Sequence, residues 1–495
     1  MNIEVFNGNL CSQACDAIVL GLFKNANILY GNIASIDKAT DNIISKYVIE
    51  KDKFEANYNE TYILQTYDKI PASKIVIVGL GEKDDLTLAK LRELSAKTIK
   101  KINKELKAKT VYFDLSTFDS THIDQKAQMI TEGAIIGEYA FDKYISKKKS
   151  SKIEKFFIAE KDEDKVETIK QGIEKGKVIA NALNFTRDLA NEPADLITPE
   201  KLAEIAKKAE GVKTKIYEKD DIQDMGMEAF YAVSKGSAKY PKFIHMKYVP
   251  QKPKKKIALI GKGITFDAGG MDIKTAANML TMRDDMSGAA CVISIMKALK
   301  HFNPNVEVHG IVAACENMVN GNSYKPGDIL RAKNGKTIEV YNTDAEGRIT
   351  LADALCYACE LGVDEVIDIA TLTGACMVAF GTQCSGILGN NDELVDRLIK
   401  TGEEQGEHFW KLPMFEEYFD NIKSDVADMK NTGGRSGGAS VAGLFLKEFV
   451  TDNVAWAHLD IAGTAFLDKP QHEFIKGATG VGVRTLFNYI LEQGK

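Results

Sequence analysis

The sequence predicts an α/β protein of two domains: a small N-terminal α/β domain, and a larger C-terminal domain with a mostly parallel mixed sheet flanked by helices. Short β-branched runs alternate along the chain with longer runs whose apolar residues recur at helical spacing. The length of 495 residues exceeds that of one usual domain. A long helical pattern at 161–184 predicts a linker helix between domains at 1–160 and 185–495.

Composition excludes several classes of function. Hydrophobic residues make up 44% of the chain and charged residues 27%, as in soluble globular proteins. The net charge of -6 disfavours nucleic acid as the main ligand, because a phosphate partner usually requires a basic surface. No apolar run reaches the ~18 residues that span a membrane, and the N-terminus lacks the pattern of a secretory signal. We therefore expect a cytoplasmic protein with no membrane partner.

The cysteines and histidines constrain the kind of metal site. The 8 cysteines are dispersed, mostly in apolar runs, and we expect buried free thiols. Cys356 and Cys359 have the spacing of a redox or zinc pair, but they fall within a helical pattern and no second pair accompanies them. The 7 histidines are scattered. A metal site in this chain would therefore be built mainly from oxygen ligands.

The N-terminal part alternates strand and helix patterns. We predict strands at 17–22 and 74–79 and amphipathic helices at 86–106 and 123–144. The lysine-rich stretch 143–155 is best interpreted as a solvated loop, although it could also contact an acidic partner.

The C-terminal part contains a strand–helix–strand unit. Residues 256–260 (KIALI) read as a buried strand, 287–299 as a helix and 306–314 as a second buried strand. Two such strands pair in parallel, with the loop after the first at their carboxyl edge. In open α/β sheets that edge is where ligands bind, so the intervening sequence GKGITFDAGGMDIK is a candidate site.

A second unit of the same kind is predicted farther along the chain. Residues 337–341 (TIEVY) are rich in strand-forming types, a helical pattern runs to Gly362, and 366–370 (VIDIA) read as a buried strand. We predict that these strands also form a parallel pair, which would bring the loop between strand and helix to the same edge as the first unit.

That loop, residues 341–350, carries YNTDAEGRIT. Asn342, Asp344, Glu346 and Arg348 share one parity, so in an extended chain their side chains point to one side. Two carboxylates beside an arginine could hold cations and leave a positive group for a substrate anion. A solvated turn explains the same residues, because Asn, Asp, Thr and Gly favour turns. The residues of this loop alone leave both interpretations open.

The string NTDAEGR followed by an aliphatic residue closely resembles the signature of the leucyl (cytosol) aminopeptidase family. GKGITFDAGG, RDLANEPADLITP (187–199) and HLDIAG (458–463) resemble further segments of that family. The resemblance implies a metal-dependent aminopeptidase that removes the N-terminal residue of peptides, leucine-like residues preferred, by means of a metal-bridging water. It also implies an accessory N-terminal domain and a homo-hexamer.

The resemblance further implies two divalent ions, Mn²⁺ or Zn²⁺. The implied ligands are Lys262, Asp267, Asp285, Asp344 and Glu346, with Asp267 and Glu346 bridging the ions. Without cations these carboxylates would repel one another and take up protons. Lys262 can ligate only as a neutral amine, which requires a strongly lowered pKa, and without the family context it would be interpreted as a surface lysine. Asp284 is expected to be solvated.

Two cations complete the implied chemistry. Lys274 would contact the oxyanion of the transition state, and Arg348 would hold a bicarbonate or a water as general base. The backbones of Gly347 and Leu372 would frame that anion, although a salt bridge to a carboxylate is the alternative role for Arg348. The implied substrate-binding residues are Met282, Asn342, Thr371, Leu372 and Gly374.

The sequence departs from the family pattern at two positions and leaves every implied ligand intact. Ala268 stands where the family usually has serine, and Ser287 stands where it often has glycine. A dinuclear-metal phosphoesterase is an alternative, but such enzymes usually use histidine ligands. A non-enzymatic binding scaffold is another, although lost ligands would be expected there. DNA binding as a side activity is disfavoured by the acidic charge balance. The glycine-rich stretch 431–439 lacks the Gly-Lys-Ser/Thr of a phosphate-binding loop and is predicted to form a flexible rim of the site.

Overall fold

The computed structural model describes residues 1–26, 29–118, 121–147 and 153–495. The chain forms two compact units, one of Met1–Asn181 with Pro470–Ile475 and one of Ala182–Lys469 with Lys476–Lys495. We call them the N-terminal unit and the C-terminal unit. The assignment of Pro470–Ile475 to the N-terminal unit is a feature that no sequence pattern indicated. Of the lysine-rich stretch predicted as a loop, residues 148–152 lie outside the described residues.

The N-terminal unit is built on a six-stranded sheet. The strands are β1 Asn2–Asn7, β2 Ala17–Phe23, β3 Thr61–Gln65, β4 Lys74–Gly81, β5 Thr110–Asp114 and β6 Lys155–Glu160. Their order is β1-β6-β5-β2-β4-β3, and every neighbouring pair is parallel except the antiparallel pair β3–β4. The helices of this unit are α1 Gly31–Ala39, α2 Leu88–Glu105 and α3 Ile123–Glu138, with a π-helical segment at Ile44–Lys51. Helix α4 Val166–Asn191 begins in this unit and continues past the boundary between Asn181 and Ala182.

Helices α2 and α3 pack closely because α3 carries glycines at the contact. A Cβ atom on Gly133 would lie 2.2 Å from the Arg92 carbonyl oxygen, and one on Gly137 would lie 2.5 Å from that of Ala96. Helix α3 ends at Glu138, earlier than predicted, because the backbone of Tyr139 is extended.

The C-terminal unit is larger and contains the remaining elements. Its strands are β7 Lys213–Tyr217, β8 Lys242–Tyr248, β9 Lys255–Asp267, β10 Val306–Asn317, β11 Ile329–Arg331, β12 Thr337–Glu339, β13 Glu365–Ala370, β14 Ser385–Gly389, β15 Phe409–Lys411, β16 Met429–Lys430, β17 Ala455–Asp460, β18 Phe466–Leu467 and β19 Gly477–Ala478. Its helices are α5 Pro199–Lys207, α6 Lys219–Asp224, α7 Glu228–Ser234, α8 Ala276–Met279, α9 Ser287–Ala298, α10 Glu346–Glu360, α11 Gly374–Phe380, α12 Asp392–Gln405, α13 Gly438–Lys447 and α14 Val483–Gln493.

Eight of these strands form one mixed sheet in the order β15-β14-β17-β13-β9-β10-β8-β7. The central strands β17, β13, β9 and β10 are parallel, and antiparallel pairs lie toward both edges. Successive residues of β9 face opposite sides. Ala258 and Ile260 belong to the same buried core as α10, whereas Gly261 lies against α9. The predicted α/β class and mostly parallel mixed sheet are thus confirmed.

The two predicted strand–helix–strand units had different outcomes. Strands β9 and β10 are parallel neighbours joined through α9, as predicted. The prediction of the second unit was wrong. Strand β12 is the middle strand of a small separate sheet, between β11 and β16, and β13 pairs with β9 and β17. A β-branched run indicates a strand but carries no information about which sheet it joins.

Among the described residues, the structure contains no helix whose length and apolar character would allow it to cross a membrane.

Candidate metal centre

Four carboxylates meet at the carboxyl ends of the central strands. Asp267 ends β9, Glu346 begins α10, Asp344 lies in the loop before α10, and Asp285 lies two residues before α9. Oxygen atoms of Asp267, Asp344 and Glu346 lie within 4.8 Å of one another. Asp285 and Glu346 each contact the Lys262 Nζ, at 2.7 and 2.9 Å. Residues from distant parts of the sequence therefore form one cluster, in which only Asp344 is partly exposed.

Two lysines lie among these carboxylates. The Lys262 Nζ also donates a hydrogen bond to the Thr371 carbonyl at 3.0 Å. The Lys274 Nζ lies 2.8 Å from Asp267 Oδ2 and 2.6 Å from Asp344 Oδ1. The cluster thus contains four acidic groups and two ammonium groups in direct contact.

Gly347 has a steric role beside Lys262. A Cβ atom at Gly347 would lie 2.5 Å from the Lys262 Cε and 2.7 Å from its Nζ. The lysine side chain therefore crosses the first turn of α10 at a position where only glycine leaves room for it.

The surroundings of the four carboxyl groups shift their pKa values in different directions. Burial raises the pKa of Asp267 and Asp285, and repulsion from Glu346 adds to it. Burial, together with Asp267, raises the pKa of Asp344 to about 6. Burial also opposes ionisation of Glu346, but Lys262 and Lys274 outweigh it and lower the pKa of that carboxyl. Two ammonium groups therefore do not fully compensate four acids, of which Asp267, Asp285 and Glu346 are buried and Asp344 is partly exposed.

The pKa of Lys262 is raised by the carboxylates around it, and not lowered as expected. Burial favours the neutral amine, but Asp285, Glu346 and Asp267 outweigh burial and raise the pKa above its ordinary value. The protonated Lys262 is thus one of the cluster's own counter-charges. It could become a neutral ligand only when other cations replace its charge.

The residues fit divalent ions. Asp285 Oδ2 is buried and has no hydrogen-bond partner among the described residues. Carboxylate oxygens are preferred ligands of hard divalent cations, and Zn²⁺ and Mn²⁺ also accept them. The unsatisfied oxygen and the shortage of positive charge would both be relieved by ions bound here.

Asn317 supports the cluster and was missed by the sequence analysis. Its Nδ2 donates to Asp267 Oδ1 at 2.8 Å and to the Thr343 carbonyl at 3.0 Å. Thr343 in turn donates from its backbone to Asp272 Oδ2 at 2.7 Å. A polar residue at the end of the buried strand β10 was the signal that could have indicated Asn317.

The parity argument for the loop at 341–350 was wrong, because the chain there is not extended. Helix α10 begins at Glu346, so Glu346 and Arg348 lie in its first turn rather than on a strand. The Asn342 Oδ1 accepts a hydrogen bond from the Asp344 backbone N–H at 2.7 Å, which forms a tight turn. A turn followed by a helix start, and not a period of two, directs Asp344 and Glu346 into the cluster.

Arg348 is buried above the same edge. Its Nη1 donates to the Asn431 carbonyl at 2.9 Å, and burial lowers its pKa to about 10. Its Nε has no hydrogen-bond partner in the part of the chain that the structure describes. Across the same residues, no carboxylate oxygen lies within 4.0 Å of the guanidinium, so the alternative salt bridge is not formed.

The remaining predicted site residues surround the cluster. Thr371 donates from its hydroxyl to Asp285 Oδ1 at 2.7 Å. The Leu372 N–H donates to Asp460 Oδ1 at 3.2 Å, and Gly374 begins α11 and is exposed. Met282 is half-buried and begins the short turn that leads to Asp285. Asp460, the last residue of β17, is a second supporting residue that sequence reasoning missed.

The expectation that Asp284 is solvated was wrong. It is buried rather than solvated, with 8% of its surface exposed, and burial raises its pKa to about 7. The Ser287 hydroxyl donates to the Asp284 carbonyl at 2.6 Å at the start of α9. The serine at this position therefore satisfies a backbone group and leaves the carboxylate cluster unchanged.

The profile of the catalytic domain of the cytosol aminopeptidase family matches residues 184–487, and the profile of its N-terminal domain matches residues 19–148. The chain belongs to the cytosol aminopeptidase family. It is therefore a hydrolase, an aminopeptidase that acts on peptides, as the motifs indicated.

Similarity to individual proteins of the family extends over the whole chain. A probable cytosol aminopeptidase of Persephonella marina is 45% identical, and the match covers 100% of both chains. A mutant of tomato leucine aminopeptidase has a TM-score of 0.88 and 34% identity, with 99% of this chain and 96% of that chain covered. The bottromycin maturation enzyme BotP in complex with Mn has a TM-score of 0.86 and 31% identity, with coverage of 97% and 100%.

Proposed function

We propose that this aminopeptidase removes N-terminal residues with leucine-like side chains and uses two divalent ions, Mn²⁺ or Zn²⁺. The proposed ligands are Lys262, Asp267, Asp285, Asp344 and Glu346, with Asp267 and Glu346 shared between the ions. The observation that carries the proposal is the cluster of four carboxylates, three of them buried, which contacts only two lysines and contains an unpartnered Asp285 oxygen. The complex of the relative BotP with Mn supports manganese as one of the ions.

When bound, the two ions would supply a bridging water of lowered pKa and polarise the scissile carbonyl. The chain's own groups hold the charges around that water. In the cluster without ions, Asp267 and Glu346 favour the charge of Lys274 more than burial opposes it, which raises the pKa of this lysine. A fixed ammonium at this position would stabilise the negative charge that develops on the carbonyl oxygen.

Arg348 is proposed to position the general base. Its guanidinium is buried and not neutralised by a carboxylate, and its Nε is free of protein partners among the described residues. A bicarbonate ion or a water held there, with the backbones of Gly347 and Leu372 beside it, would accept a proton from the attacking water.

Substrate recognition is proposed to use the residues around the cluster. The free α-amine of the substrate would bind at the metal site as a neutral amine, with Asp285 adjacent. A half-buried methionine suits an aliphatic side chain, because its flexible thioether adapts to irregular shapes. The proposed pocket consists of Met282, Asn342, Thr371, Leu372 and Gly374.

We also propose domain boundaries at 1–160 and 185–495 with a linker at 161–184, a homo-hexamer and a cytoplasmic location. Light scattering of the purified protein tests the oligomer, since a monomer at working concentration would contradict it.

The activity is tested with leucine p-nitroanilide in the presence of Mn²⁺ or Zn²⁺, beside a panel of dipeptides. We expect turnover with leucine-like N-terminal residues and none with N-acetyl-leucine p-nitroanilide, which lacks the free amine. Absence of turnover with every divalent ion would reject the proposal, and cleavage of the acetylated substrate would reject the exopeptidase mechanism.

The role of Lys274 is tested by Lys274→Met. Loss of one positive group at a developing oxyanion costs about 10²–10³-fold in kcat. The matched control is Lys325→Met, which removes an exposed lysine paired with Asp328. Equal activities of the two variants would exclude Lys274 from the mechanism.

A further inference from the structure

We propose that Asn431 is the positioning residue that holds the metal-binding loop and Arg348 in register with the glycine-rich segment 431–439. This inference rests on the proposed function, which assigns metal ions to the loop and a general-base site to Arg348. Asn431 touches no carboxylate of the cluster, and it acts through the residues that it holds.

The side chain of Asn431 makes four hydrogen bonds to the backbone of the loop at 341–350. Its Oδ1 accepts hydrogen bonds from the N–H groups of Tyr341 at 2.8 Å and Asn342 at 3.3 Å. Its Nδ2 donates to the carbonyls of Asn342 at 2.6 Å and Ala345 at 3.3 Å. Only an amide offers an acceptor and two donors at this spacing, so asparagine is chemically required here.

The backbone of Asn431 binds two further groups. Its N–H donates to the Glu339 carbonyl at 3.0 Å, which extends the pairing of β12 with β16. Its carbonyl accepts the hydrogen bond from Arg348 Nη1 at 2.9 Å. One fully buried residue therefore fixes both the loop that carries the acids and the arginine above them.

The held atoms lie directly next to two proposed ligands. Asn342 closes the turn that presents Asp344, and Ala345 is the residue from which α10 and Glu346 begin. A shift of this backbone would move the oxygens of Asp344 and Glu346 together. Groups that orient metal ligands typically contribute 10–100-fold to metal affinity or activity.

The glycine-rich segment begins at the same residue. Gly434 and Gly437 adopt positive φ angles of 91° and 62°, and Gly437 is the residue from which α13 begins. Glycine adopts such positive φ angles without steric cost. The segment that contains these glycines is joined through Asn431 to the buried hydrogen bonds with the loop and Arg348. We infer that this attachment keeps the rim of the site from displacing Arg348.

The experiment compares the wild-type chain with Asn431→Ala, Asn431→Asp and Asn334→Ala. Mn²⁺ binding is measured by electron paramagnetic resonance without substrate, and kcat and KM are measured with leucine p-nitroanilide. For Asn431→Ala we expect Mn²⁺ affinity about tenfold lower and kcat about 10–100-fold lower, with KM changed by less than about threefold. Asn334 is exposed, and its side chain donates to the Glu448 carbonyl and accepts from the Lys336 N–H, both outside the site, so its variant should match the wild type.

Asn431→Asp preserves the size of the side chain and replaces its two donors with a second acceptor, so it leaves no cavity of the kind that alanine leaves. We expect the same losses, because a carboxylate would face two carbonyl oxygens in place of the amide. Wild-type Mn²⁺ affinity and kcat in either folded Asn431 variant would overturn the inference. A wild-type chain that lacks peptidase activity, with Mn²⁺ affinity still lowered by Asn431→Ala, would overturn the proposed function and keep the positioning role.

A double-mutant cycle separates positioning from general stability. If Asn431 acts through Arg348, the combined loss of kcat in Asn431→Ala with Arg348→Ala is smaller than the product of the single losses. Multiplicative losses in kcat would mean that Asn431 and Arg348 act independently, and that result would overturn the inference.

Discussion

The carboxyl ends of the parallel strands differ sharply between the two units. In the N-terminal unit, Asp114 ends β5 and is fully buried. Its carboxylate accepts hydrogen bonds from Asn32 Nδ2 at 2.7 Å and from the Ser116 N–H and hydroxyl at 3.1 and 2.9 Å. In the C-terminal unit, Asp267 ends β9 and lies with three other carboxylates and two lysines.

The two aspartates occupy equivalent positions in their sheets, yet only one position has the properties of a metal site. Neutral donors from its own unit satisfy Asp114, although burial raises its pKa. Like charges surround Asp267, and hydrogen bonds cannot remove their repulsion. The carboxyl edge of a parallel sheet therefore brings side chains together. An excess of buried negative charge there gives that edge the properties of a metal site.

The largest predicted effect is the difference between two aspartate-to-asparagine variants, one at the carboxyl edge of each sheet. Asp285→Asn should lower kcat/KM about a thousandfold, because several kcal/mol of charge stabilisation depend on the ions. Asp114→Asn should leave kcat/KM within about twofold of the wild type. Metal analysis of both purified variants should show a lower content only in Asp285→Asn. Similar losses of activity in the two variants would remove the distinction between the edges.

Metal removal should affect the two units unequally. At a concentration 100 times its Kd, Mn²⁺ stabilises the unit that binds it by about 2.7 kcal/mol. Both tryptophans, Trp410 and Trp456, lie in the C-terminal unit, so their fluorescence reports its unfolding. We expect chelation to lower the stability measured by fluorescence and to speed hydrogen exchange at 341–348.

Hydrogen exchange at 114–117 serves as the internal control, and it should be unchanged by the chelator. Faster exchange at 114–117 would mean that the N-terminal unit also depends on the metal, which would contradict the comparison.

A smaller predicted effect is the pH dependence of stability that arises from the hydrogen-bonded cluster of His245, His309 and Tyr357 in the C-terminal unit. His245 lies 2.9 Å from the Tyr357 hydroxyl and 2.8 Å from His309 Nδ1, and burial with the neighbouring His309 lowers its pKa to about 4. The unfolded chain would bind this proton near the ordinary pKa of 6.5. The contribution to stability is therefore complete above pH 6.5 and is lost as pH falls toward 4.

We expect the wild type to lose about 2 kcal/mol of this contribution between pH 7 and pH 4.5, and His245→Gln to lose less over the same range. Urea unfolding followed by tryptophan fluorescence measures both. Identical pH dependence of the two proteins would show that His245 does not titrate with unfolding.

Sequence reasoning succeeded where local pattern and chemistry agree. The β9–α9–β10 unit followed from apolar runs and a helical period, because each element buries a contiguous stretch of its own residues. It failed for β12, whose five-residue run is too short to specify a partner, and for the loop at 341–350, where a turn and a helix start replaced the assumed strand. Asn317, Asp460 and Asn431 escaped notice because single polar residues have no spacing to mark them.

By itself, the sequence determined the α/β class, the family and the identity of the acidic residues, because these depend on residue types and short motifs. Only the tertiary structure decided that Lys262 is a counter-charge to the acids, that Asp284 is buried, and that Asn431 binds both the loop and Arg348. The physical reason is that charge balance and hydrogen-bond satisfaction are properties of neighbours in space. Residues more than 80 positions apart in the chain become such neighbours only when the sheet forms.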